Sequence, residues 1–94
     1  MSSSKTIKSV MKDLIKDPVL RDKVHQEQLK MKWTEIVGDQ IANISRILKF
    51  EKGRLTIKTS SSIWLYELSL RKKEIIDQIN EKLESKIVNE LIIR

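Results

Sequence analysis

The sequence predicts an α+β domain of order α-α-β-β-α-β, a three-stranded sheet with helices packed on one face. Three observations predict it. Apolar residues recur at helical spacing from Ile7 to Ile44 and again from Leu65 to Leu83. From Leu48 to Thr59 they alternate with charged and polar residues, the period of a half-buried strand. The chain then closes on the β-branched run from Ile87 to Ile93. A hydrophobic fraction of 39% supplies the core of one domain in 94 residues. Residues 1–4 read as a disordered tail and residues 5–94 as that single domain.

Each element has its own signal. Ile7, Val10, Met11, Leu14 and Ile15 form one helical stripe, with Lys5, Lys8, Lys12 and Lys16 on another face. Asp17-Pro18 ends this first helix and starts the next. Proline disfavours helix at the residue before it and suits a first turn, which Asp17 can cap. The second helix carries Leu20 and Val24, then Leu29, Trp33, Ile36 and Val37. Gly38 is its stop, and Asp39 can cap one further turn that buries Ile41 and Ile44.

The period then changes. Leu48 and Phe50 alternate with Lys49 and Glu51, and Leu55, Ile57 and Thr59 with Arg54, Thr56 and Lys58. Glu51-Lys52-Gly53-Arg54 joins the two strands, with glycine available for positive φ. The hairpin so formed has one apolar face and one basic, polar face, from which Lys49, Arg54 and Lys58 project together. Ser60-Ser61-Ser62 caps a long helix with the stripe Leu65, Leu68, Ile75, Ile76, Ile79 and Leu83. Lys72 falls on that stripe, its stem across the core edge and its ammonium in water. Glu84-Ser85-Lys86 closes the helix without glycine. A strand–helix–strand crossover makes the last two strands parallel and leaves the basic face of the sheet open.

The net charge of +6 is unevenly spread. Arg46, Lys49, Lys52, Arg54 and Lys58 face Glu51 alone between residues 46 and 60, and a smaller excess lies before residue 18. Such a segment recruits polyanions or an acidic partner. Other chemistry is missing. No cysteine is present, which removes disulfides and thiolate sites and suits a reducing cytosol, so a cytoplasmic location is expected. Gly38 and Gly53 cannot build a phosphate-cradling glycine loop. His25 stands alone as a solvent-facing helical residue, no base is placed to activate a serine, and acid pairs such as Glu81 and Glu84 are a charged helix face. The chain reads as no enzyme, with no cofactor, no metal and no small-molecule substrate. No apolar run approaches membrane-spanning length, and none resembles a signal peptide. Trp33 and Trp64 read as core residues and Tyr66 as a half-exposed rim, although an exposed Trp64 or Tyr66 can stack on a base.

Several segments resemble one family at matching spacing. Trp33-Thr34-Glu35-Ile36-Val37-Gly38-Asp39-Gln40-Ile41-Ala42 is similar to the W-x-x-[IV]-V-G-x-x-[IL]-A segment of the bacterial DciA family. Lys52-Gly53-Arg54-Leu55-Thr56-Ile57-Lys58 resembles its basic turn and strand, and Ser60 to Leu68 its S-S-x-W-x-x-E-L segment. Ile75-Ile76-Asp77-Gln78-Ile79-Asn80 and Leu91-Ile92-Ile93-Arg94 resemble its last two stretches. The resemblance implies a KH-like domain that binds DNA and the hexameric replicative helicase and assists loading of that helicase. Two departures limit it. No G-x-x-G loop is present, so the backbone clamp of KH domains is not expected. Nor is the long tail of some relatives, so functions tied to it are not expected either.

In this reading Lys49, Lys52, Arg54 and Lys58 hold phosphates, together with Arg46, Arg71 and Lys73. Ser61 adds a hydroxyl at a helix N-terminus, where free amides favour anions. Single-stranded or forked DNA is favoured over a specific duplex site, because no recognition helix stands out. Two alternatives are a protein-binding adaptor without nucleic-acid contact and an RNA-binding KH-like protein.

Overall fold

The computed structural model describes residues 16–94. The expected tail and, apart from Lys16, the expected first helix lie outside the described residues. Helix α1 (Pro18–Met31) begins as proline and aspartate dictate: Asp17 Oδ1 accepts from the Val19 and Leu20 amides at 2.9 and 3.5 Å. The helix then breaks at Lys32, and α2 (Trp33–Val37) runs separately. No proline or glycine marks this break. The two pieces are tied to different neighbours. Gln26 and Asp22 of α1 accept from the Phe50 and Lys52 amides at 2.9 and 3.0 Å, whereas Ile36 O of α2 accepts from Gln78 Nε2 at 2.8 Å. Gly38, at φ 89°, stops α2 and starts α3 (Asp39–Ile44). Asp39 lies within α3 and does not cap it, and Ile41 and Ile44 are half-buried, not buried as expected.

Strands β1 (Ser45–Glu51) and β2 (Arg54–Thr59) pair antiparallel. Lys52 and Gly53, at φ 51° and 79°, make the two-residue turn whose twist suits a hairpin. The alternation in β1 differs from the expectation. A bulge at Leu48 puts one extra residue between Ile47 and Lys49, so Ile47 and Phe50 are buried and Leu48 is half-exposed. Beyond β2 the expected long helix is two: α4 (Ser62–Ser69), capped by Ser61, and α5 (Lys72–Leu83). A straight helix would carry Lys72 onto the buried stripe four residues after Leu68. The break at Leu70 and Arg71 leaves Lys72 exposed while Leu68, Ile75 and Ile79 stay buried.

The route to the last strand is pinned at two points. Glu84 ends α5 in the left-handed region, at φ 53°. The Asn80 amide then grips Val88, donating to its carbonyl at 2.8 Å and accepting from its amide at 3.0 Å. Gly53 O accepts from the Asn89 and Glu90 amides at 2.8 and 3.1 Å. Strand β3 (Glu90–Ile93) is shorter than the run predicted and lies parallel to β2, giving the order β1-β2-β3. Ile47, Phe50, Leu55, Ile57 and Leu91 from one sheet face share a single core with Leu29, Trp33, Ile36, Leu68, Ile75 and Ile79 from the helices. Among the described residues no helix is long and apolar enough to cross a membrane.

Candidate nucleic-acid interface

The face of the sheet turned from that core is built by register. Residues paired across neighbouring strands share a face, so three rows run across β2. Nearest the hairpin turn, Glu51, Arg54 and Glu90 stand side by side. Next come Lys49, Thr56 and Ile92. At the far end Arg46 pairs with Lys58. Arg94 completes this row: its amide donates to Ile57 O at 2.9 Å and its carbonyl accepts from the Thr59 amide at 2.7 Å, which sets it level with Lys58. Sequence reading missed Arg94. The signal was its place one residue past a strand parallel to β2, and only the register turns that into a position.

The rows differ in what their charges can do. Arg54 Nε is 3.2 Å from Glu90 Oε1, and Lys49 Nζ is 3.3 Å from Glu51 Oε1. Arg46, Lys58 and Arg94 form no ion pair among the described residues. Like charges directly opposite one another in a sheet repel, so this row is relieved by an anion laid across it. An open groove of about 250 Å³ lies beside it, lined by Ile44, Ser45, Arg46, Lys58, Thr59 and Ser60.

The remaining expected residues are dispersed. Lys52 sits at the tip of the turn, its amide bound to Asp22. Ser61 is near the Arg46 end, but its hydroxyl accepts from the Trp64 amide at 3.3 Å as the cap of α4. Arg71 belongs to the helical layer and lies 3.7 Å from Glu67; Lys73 is exposed in the first turn of α5. Neither joins the sheet face. Thr56, at the centre of that face, is 1% exposed, and its hydroxyl has no hydrogen-bond partner among the described residues.

Aromatic and titratable groups add little chemistry. Trp33 is buried and donates from Nε1 to Ser45 Oγ at 3.0 Å, while Trp64 packs half-buried on the core. Tyr66 is 66% exposed, more than a half-exposed rim. His25 is not the solvent-facing residue expected: it meets Phe50 edge-on with ring centroids 6.0 Å apart. Burial there lowers its pKa below the usual histidine value, with smaller opposing contributions from Asp22, which raises it, and Arg21, which lowers it. Among the described residues no three histidine, cysteine or acidic side chains gather as a metal site.

A family model described as Dna[CI] antecedent, DciA, matches residues 6–93. The chain is 29% identical over 83 residues to the UPF0232 protein BL0636 of Bifidobacterium longum (strain NCC 2705), covering 88% of this chain and 53% of that one. It is 33% identical over 61 residues to a UPF0232 protein of Corynebacterium glutamicum (strain R), covering 65% of this chain and 34% of the relative. The chain thus spans about half the length, or less, of these curated relatives.

Proposed function

The chain belongs to the DciA family, and from that premise we propose that it is a non-enzymatic accessory domain that binds DNA and assists loading of the replicative helicase in the bacterial cytoplasm. The observation that supports DNA contact is the row Arg46–Lys58–Arg94, three cationic side chains abreast with no carboxylate side chain paired to them among the described residues. Phosphates of single-stranded or forked DNA run along this end of the sheet. Lys49 and Arg54 join after exchanging their carboxylates for phosphate. Contacts of this kind are sequence-tolerant and release counterions, so affinity falls steeply with salt. No G-x-x-G clamp contributes, and the grip is by side chains.

The test is a fluorescence titration of a single-stranded oligonucleotide against the full chain at several salt concentrations. Arg46→Gln with Lys58→Gln lowers affinity about tenfold or more and flattens the salt dependence by about two charges. Unchanged affinity and slope would refute the assignment. Competition with a single-stranded RNA of the same sequence separates DNA preference from RNA binding. Pull-down with the replicative helicase after nuclease treatment shows whether helicase contact is direct.

A further inference from the structure

The groove beside Arg46 and Lys58 holds chemistry that phosphate contact leaves unused. It lies where the end of α3 meets the start of β1 and the end of β2, and encloses about 250 Å³. Ile44, Ser45 and Thr59 are its half-buried residues, and the exposed ones are Asn43, Arg46, Lys58 and Ser60.

Most of its polar groups are already engaged. Ser45 Oγ donates to Ile41 O at 2.6 Å and accepts from Trp33 Nε1 at 3.0 Å. Thr59 Oγ1 donates toward Ser61 O and Arg94 O, each at 3.1 Å. The Ser60 amide donates to Ile44 O at 2.9 Å. Two groups are left. The Asn43 carboxamide and the Ser60 hydroxyl make no hydrogen bond among the described residues. They share the groove with a half-buried isoleucine and with two cations that form no ion pair among the described residues.

Cations, an apolar residue and free hydrogen-bonding groups together match one nucleotide: its phosphate, the face of its base and the edge of its base. No carboxylate lines the groove. It is smaller than the roughly 300–1,000 Å³ of pockets for drug-sized ligands, so it suits a single ring system. A duplex would use the cations alone, because its bases are stacked and paired.

We infer that this groove receives one unpaired nucleobase of the strand whose phosphates lie on Arg46 and Lys58, with Ile44 against the face of the base and Asn43 and Ser60 on its edge. The inference rests on the DNA reading above and deepens it by giving a physical reason for single strands. A carboxamide offers both a donor and an acceptor, so it can meet the edge of any base, and the contact is sequence-tolerant.

Fluorescence anisotropy titrations of the full chain test this with two probes, an oligodeoxyadenylate and an oligomer of the same length built of abasic residues. The wild type binds the abasic oligomer about tenfold more weakly. The salt dependence is the same for both, because the phosphate contacts are kept. Asn43→Ala with Ser60→Ala lowers affinity for the oligodeoxyadenylate about fivefold and leaves the abasic oligomer bound as by the wild type. Alanine suits the helix at 43 and keeps the amide at 60, so the fold is retained. Equal wild-type affinity for the two oligomers overturns the base site and spares the DNA reading. Wild-type affinity of the double variant for the oligodeoxyadenylate, or an equal loss on both oligomers, also overturns the base site. A wild-type chain that binds neither oligomer overturns the DNA reading and the base site with it.

Discussion

The two ends of the outer sheet face each centre on a cation of β2, in opposite electrostatic surroundings. At the hairpin end Arg54 stands between Glu51 and Glu90; at the other end Lys58 stands between Arg46 and Arg94. A count of bases along the chain treats Arg54 and Lys58 alike. Their neighbours on β1 and β3 do not. The difference teaches that charge available to a ligand is set by what the register places alongside a cation.

That contrast can be broken first by neutralising one end at a time. Against the tenfold or greater loss expected for Arg46→Gln with Lys58→Gln, Lys49→Gln with Arg54→Gln should weaken oligonucleotide binding by less than about threefold, because their charge is already shared with carboxylates. Equal losses at the two ends would erase the distinction. The hairpin end is expected to matter for stability instead. Gly53→Ala puts a Cβ at φ 79° and 2.5 Å from Asn89 Nδ2, which should cost about 1–3 kcal/mol in urea unfolding. Between the ends, Thr56→Val removes a buried hydroxyl that has no partner among the described residues and should add about 1 kcal/mol in the same assay.

The smallest effects concern exposed pairs and pH. Glu90→Gln should change stability by less than about 1 kcal/mol, since the pair with Arg54 is half in solvent. His25 lies against Phe50 near the hairpin turn, and burial depresses its folded-state pKa. The unfolded chain therefore takes up the proton more readily. Stability is full above about pH 6.5, the unfolded value, and declines as pH falls through it. His25→Gln should flatten that acid-side decline of Tm.

Much of this was legible in the sequence. Asp17-Pro18, Gly38 and Lys52-Gly53 carry their own backbone rules, the α-β-β-α-β order follows from the change of apolar period along the chain, and the parallel β3 from the strand–helix–strand crossover. Two helix breaks were not legible. Lys32 and Leu70-Arg71 contain no breaker, and the chain bends there because flanking segments pack on different partners. The bulge at Leu48 was hidden for a related reason: Ile47 and Leu48 are equally apolar, and only pairing to Ile57 decides which one is buried. The candidate site was half legible. Arg46 and Lys58 were named, but the neutralisation of Lys49 and Arg54 and the arrival of Arg94 depend on cross-strand alignment.

The carbonyl of Gly53 acts like the zero mark of a vernier. It receives both Asn89 and Glu90, and in doing so it sets the sliding position of the C-terminal strand against its neighbour. Moving that scale by one notch would turn Glu90 and Ile92 inward and swing Arg94 off its row. The potential at one rim of the protein is thus calibrated from the opposite rim, about 13 Å away along β2.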